Sequence, residues 1–199
     1  MIRSGCWLPF VLCACGSVTI PEETFYRIEL PRPELAAFTD LMILRVQNIQ
    51  LGGALQGDRL MVASEPFHLQ PYDLHRWAGP LDQILLDAVL SGLERSRAFT
   101  QVKAPWEAGR EDLLLNGRVL DFHAVTENGA PFGRVTLDLK ITRSADGKAL
   151  WQKELTRSDP AQSAAPSAIV AALSHAMGQV VGDVLIGCRE NGVLATPAK

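Results

Sequence analysis

Arg134-Val135-Thr136-Leu137-Asp138-Leu139-Lys140-Ile141-Thr142-Arg143 carries an apolar side chain at every second position. Side chains alternate between the two faces of a strand, so this period predicts a β-strand. Val135, Leu137, Leu139 and Ile141 would face a core and the polar set would face water. Ala145-Asp146-Gly147-Lys148 follows. An Asp-Gly pair suits the tight turn of a hairpin, because glycine takes up positive φ without strain. Leu150-Trp151-Gln152-Lys153-Glu154-Leu155 is then the expected return strand.

Working towards the N-terminus, Asp112 to Phe122 begins as an apolar run and becomes alternating, which predicts another strand, and Phe99 to Val102 predicts a short one. From Leu81 to Arg97 the period becomes helical. Leu81, Ile84, Leu85, Ala88 and Gly92 share a face that Leu86, Val89, Leu90 and Leu93 widen. A stripe that broad fits a helix laid on a sheet and covered on a flank, with Gly92 marking a close approach. Glu65 to Pro80, with Pro66, Pro71 and Pro80, reads as irregular. Earlier strands are expected at Thr24 to Leu30, Leu41 to Ile49 and Asp58 to Ala63, the last two joined by a hairpin-like connection over Gly52 to Gly57.

Working towards the C-terminus, Ser158 to Pro166 reads as a loop and Ser167 as a helix N-cap. Ile169, Leu173, Met177, Val180, Val181, Val184 and Leu185 keep helical spacing as far as Gly187, the expected stop. The order is three strands, a helix, four strands and a helix. The expected fold is α+β: a mostly antiparallel sheet covered on one face by two helices, as a two-layer sandwich.

The composition is that of a soluble globular domain, with 47% apolar and 21% charged residues in a chain of 199. A formal net charge of −3 and the lack of a basic run argue against nucleic-acid binding. Cys6, Cys13 and Cys15 lie near the N-terminus, so Cys188 has no disulfide partner in the folded part. It is either a buried small apolar residue or an exposed thiol.

No catalytic constellation emerges. The chain has no G-x-S-x-G, phosphate loop or dinucleotide glycine motif, and no cofactor is expected. His68, Asp73 and His75 lie in the irregular stretch. A metal reading lacks a third ligand at compact spacing, so solvated loop residues are the favoured reading. Asp82, Asp87 and Glu94 fit a solvated helix face. Tyr72, Arg76 and Trp77 read either as an aromatic and cationic recognition surface or as a loop pinned by its Trp.

The N-terminus decides the compartment. Arg3, the apolar run Cys6 to Leu12 and the small residues after it are laid out as a secretory leader, and the run is too short to span a bilayer. Leu12-Cys13-Ala14-Cys15 resembles the lipobox of bacterial lipoproteins, which implies cleavage before Cys15 and acylation of that residue. Cys13 is the competing acceptor. The expected organisation is a signal peptide over 1–14, a lipidated Cys and tether over 15–23, one domain over 24–188 and a flexible tail over 189–199. Ser17 to Glu23 reaches about 25 Å, which keeps the domain close to its membrane.

Tyr72-Asp73-Leu74-His75-Arg76-Trp77-Ala78-Gly79-Pro80-Leu81 is similar to the aromatic, spacer, Trp-Ala-x-Pro-Leu segment of the ABC-type transport auxiliary lipoproteins. These include the paraquat-inducible-protein-C-like lipoproteins that accompany MCE (mammalian cell entry) lipid transporters. The opening strand at Tyr26, Leu90-x-x-Leu93 leading to Phe99-x-x-Val102, the strand Leu113 to Phe122 and the last helix agree with that pattern.

The resemblance implies a non-catalytic, periplasm-facing lipoprotein, held more at the outer than at the inner membrane, which docks an MCE-domain protein with its ABC permease and ATPase. It also implies Tyr72, Arg76, Trp77, Pro80 and Leu81 as motif or partner-binding residues, a membrane anchor at Cys15, and assembly as a ring of identical subunits. The alternative is a lipid carrier holding cargo in its own cavity, suggested by the broad apolar face of Leu81 to Leu93.

Overall fold

The computed structural model describes residues 21–31, 42–65 and 68–194; Cys15 and the leader lie outside the described residues. Strands β6 (Leu113–Glu127) and β7 (Ala130–Arg143) form the longest ladder, antiparallel from Leu113↔Arg143 to Glu127↔Ala130. They are joined at Asn128-Gly129, where both residues have positive φ (51° and 81°), as a two-residue primed turn demands. The alternating segment is therefore the C-terminal part of a longer strand. β8 (Ala149–Pro160) returns antiparallel to β7 after the Asp146-Gly147 turn, with Gly147 at φ 68°.

A strand has only two edges, and β7 occupies one edge of β6 along its length. The other edge is shared. β2 (Ile43–Leu51) runs parallel to Leu113–Val119, and β3 (Arg59–Glu65) runs parallel to Ala124–Val125. β2 and β3 thus follow one another in line along β6, and the hairpin expected over Gly52 to Gly57 does not form. The reason is conformational: Gly52 is extended (φ −58°, ψ 148°), so the chain does not reverse there. The Gly52 N–H donates to the Val119 carbonyl (2.9 Å), and one 3₁₀ turn at Gly53–Leu55 takes up the slack.

The segment read as irregular is mostly strand β4 (His68–Trp77), antiparallel to β3. Its alternation is hidden by a large bulge: Tyr72 to His75 stand opposite Leu60 alone, with Leu74 at φ 61°. Pro71 is tolerated because β1 (Thr24–Tyr26), parallel to β4, pairs only with His75 to Trp77. β5 (Gln101–Lys103) runs parallel to Ile43–Arg45 of β2. The result is an open, mixed, eight-stranded sheet with two helices, an α+β fold whose longest ladders are antiparallel.

One face of the sheet carries Leu44, Val46 and Ile49 of β2, Leu113, Leu115, Val119 and Phe122 of β6, and Val135, Leu137, Leu139 and Ile141 of β7, all buried. Helix α1 (Leu81–Ser96) covers the β2 end, and α2 (Pro166–Glu190) covers β7 and β8. The wide face of α1 is consumed by this packing: Leu81, Leu85, Leu86, Val89, Leu90 and Leu93 are all buried. Each fully buried leucine contributes about 1.5–3 kcal/mol. Gly92 is the expected close approach, since a Cβ there would stand 3.0 Å from Leu30 Cδ1 and 3.1 Å from Val181 Cγ1.

Helix α2 begins with Ala165 as N-cap and Pro166 in its first turn, not with a Ser167 cap. Nor does Gly187 end it. That residue is buried inside the helix, and the chain turns at Gly192 (φ 68°). The Val193 N–H reaches the Cys188 carbonyl (2.8 Å) and the Gly192 N–H the Arg189 carbonyl (3.1 Å), the Schellman arrangement. Val193 and Leu194 are buried, so packing continues beyond the helix. α2 is long and apolar enough to cross a membrane, but most of its apolar stretch is buried in this layer.

Candidate functional site

The quoted motif sits where the chain leaves the sheet for the helical layer. Trp77 ends β4, its N–H donates to the Asp58 carbonyl, and Ala78 N–H donates to Tyr26 O (2.7 Å). Pro80 is the N-cap of α1 and its carbonyl accepts the Ile84 N–H (3.1 Å). The fixed φ of proline and the anchored Trp set the angle at which α1 departs.

The sequence-predicted residues do not form one surface. Trp77 and Leu81 enter the core, each 2% exposed, and the Trp77 ring lies 5.5 Å from that of Phe122. Arg76 is half-buried and turned to its own chain. Its Nε donates to Glu23 (2.7 Å) and its Nη1 to Asp58 (3.0 Å), joining the approach to β1, the start of β3 and the end of β4. The Glu23 hydrogen bond is the largest of the influences that raise the guanidinium pKa. Tyr72 sits in the bulge and donates to Ala164 O (3.3 Å), tying β4 to the loop before α2. Only Pro80 of the five remains exposed. The pinned segment is the reading that this geometry favours.

The histidines are dispersed. His75 Nδ1 pairs with the Tyr26 hydroxyl (3.0 Å), His68 with Ser64 (3.1 Å), and His175 lies 3.5 Å from Asp159. Among the described residues no group of three or more His, Cys, Asp or Glu is placed to hold a metal ion. His123 is buried, its Nδ1 3.9 Å from Asp121 but without a hydrogen-bond partner, and desolvation, partly offset by Asp121, lowers its pKa. Cys188 is the buried alternative of the two left open. Desolvation pushes its thiol up to about 12, which removes it as a nucleophile near neutrality.

Beside the motif lies a groove of about 930 Å³. Phe25, Ile49, Leu51, Trp77 and Leu81 supply its apolar lining, and Asp58 and Asp82 stand on it. Phe25 is 59% exposed, an unusual position for an aromatic ring on a strand. Neither Phe25 nor the β2 wall was picked out from sequence, since nothing local marks where a strand lacks a neighbour.

Residues 28–184 match the model of the family described as the ABC-type transport auxiliary lipoprotein component. Comparison with curated proteins gives no match. Among solved structures, a Xanthomonas campestris protein of the DUF330 family is 24% identical, over 85% of this chain and 97% of that one, with a TM-score of 0.76. An uncharacterised protein is 16% identical, over 85% of this chain and 100% of that one, with a TM-score of 0.66. These two share the fold. The family match spans the sheet from β2 onward, the Trp77 segment and about the first three quarters of α2, and it shows that this chain belongs to the ABC-type transport auxiliary lipoprotein family.

Proposed function

We propose that this protein is a non-catalytic, lipid-anchored subunit of an intermembrane lipid transport system, docking an MCE-domain protein that works with an ABC permease and ATPase. The observation that carries this reading is the family match over residues 28–184 in a chain whose N-terminus ends in Leu12-Cys13-Ala14-Cys15. Acylation at Cys15 would tether the domain to the envelope by several acyl chains, each buried CH₂ adding about 0.8 kcal/mol. Gly16 after the Cys favours the outer membrane by analogy with enteric bacteria. ATP hydrolysis belongs to another subunit, since this sequence carries no phosphate loop.

Affinity purification from membranes solubilised in mild detergent tests the docking. MCE and permease subunits are expected to co-purify; recovery of the protein alone would remove this reading. The carrier alternative lacks a comparable support, because the α1 face that suggested a cargo cavity is filled by core side chains. Co-purified lipid on the isolated chain in native mass spectrometry would restore it.

A further inference from the structure

Strand β2 has an edge that no described residue fills. The Gly52 N–H points to Val119 of β6, and backbone groups alternate along a strand. Ile49 and Leu51 therefore turn their N–H and C=O away from β6. On that side β5 pairs only with Ile43 to Arg45. β4, which would otherwise continue alongside, leaves the sheet at Trp77 to start α1. What remains is a notch in the sheet about one short strand long.

The groove beside Trp77 is this notch. Four consecutive residues of β2, Asn48 to Leu51, line it. Consecutive residues point to opposite faces, so only the edge of a strand can present four in a row. The opposite wall is Phe25 and the Trp77–Leu81 turn, which gives apolar contacts on the side away from β2.

Two features separate this edge from the long outer edge at β8. The outer edge strand carries Lys153, Glu154, Arg157, Asp159 and Pro160, the charges and proline that protect an edge from pairing. The notch has Asn48, Ile49, Gln50 and Leu51, with no charge. The rim is also acidic. Among the described residues Asp58 and Asp82 line the groove and no lysine or arginine does; Arg76, behind Asp58, is shared between Asp58 and Glu23. An anionic lipid headgroup is disfavoured there and a basic segment favoured.

We infer that the notch is a strand-addition site for an extended, apolar and basic segment of a partner protein, which pairs with the β2 edge at Ile49 and Leu51 and packs on Phe25. The inference deepens the docking reading by naming how the partner is held. The two ends of the chain's own 32–41 connection lie elsewhere: Pro31 is against Gly178 of α2, and Met42 precedes β2.

The test uses chain 15–199 with Cys15→Ser and the capped peptide Lys-Val-Thr-Val-Lys, read by residue-resolved amide hydrogen exchange. The Ile49 and Leu51 amides are expected to exchange freely in the monomer and to slow at least tenfold with saturating peptide. The twin with Glu in place of both Lys should bind at least fivefold more weakly, and Asp82→Lys should reverse that preference. Three results overturn the proposal. One is protection of both amides in the free monomer, which means the chain fills its own notch. Another is protection that rises with protein concentration alone, which means a second copy fills it. The last is no protection at millimolar peptide. No transporter is present in this experiment, so its failure is separate from a failure to co-purify MCE subunits.

Discussion

The Trp77 ring packs on Phe122 with centroids 5.5 Å apart and planes at 52°, joining the end of β4 to the middle of β6 across the sheet. With Trp77 only 2% exposed, the motif's central residue acts on the fold before it can act on a partner. Trp77→Ala is expected to cost about 3–5 kcal/mol, read as a lower urea midpoint at unchanged m-value. An unchanged midpoint with lost partner binding would instead make Trp77 a contact residue.

Gly187 faces Trp151 so closely that a Cβ would run into its indole. The ring is 7% exposed and held between β8 and α2, so it has little room to yield. Gly187→Ala is expected to destabilise by about 1–3 kcal/mol, despite alanine's better helix propensity. In a Trp151→Leu background the same substitution should cost less, by at least about 0.5 kcal/mol in a double-mutant cycle. Additive costs would mean that the contact is not what excludes a side chain at 187.

Cys188 is fully buried, with its thiol pKa pushed up to about 12 by desolvation. In the Cys15→Ser mature chain it is the sole cysteine. Ellman's reagent at pH 8 should leave it unmodified in the native protein and titrate one thiol in denaturant. Rapid native labelling would contradict the burial of the end of α2.

His123 gives the stability an acid dependence of defined sign. Burial, with Arg134 nearby, lowers its pKa in the folded chain against the partial opposition of Asp121. The unfolded chain takes up its proton near the ordinary value of about 6.5. Below that value the unfolded state binds more protons, so the contribution present above it is lost as pH falls through the lowered native pKa. His123→Gln should flatten the decline in unfolding free energy below pH 6.5. Parallel declines in the two proteins would assign the acid sensitivity elsewhere.

Much of the fold was legible because its strongest elements are amphipathic and regular. The 134–143 alternation, the Asp146-Gly147 turn and the Leu81–Ser96 helix all declare themselves through a single period. Three features were not. β4 carries its bulge and Pro71 in the middle, so alternation is lost while the ladder survives. Gly52-Gly53 reads as a reversal, but Gly52 is extended and Gly53 opens a single 3₁₀ turn, after which β3 follows β2 in line along β6. Asn128-Gly129 is the favoured dipeptide of a two-residue hairpin and starts β7 at Ala130, but the alternation that marks the strand becomes regular only from Arg134. At the site, the apolar character of Trp77 and Leu81 was visible, but their burial depends on packing. The open edge of β2 is a property of pairing and has no local signal.

Intact mass of the protein extracted from membranes of its native or a closely related host tests the account most directly. The expected species is Cys15–Lys199 carrying a diacylglyceryl group and one further acyl chain. An unmodified chain that still begins at Met1 would contradict it, leaving a soluble domain of this fold with no anchor from which to serve a transporter.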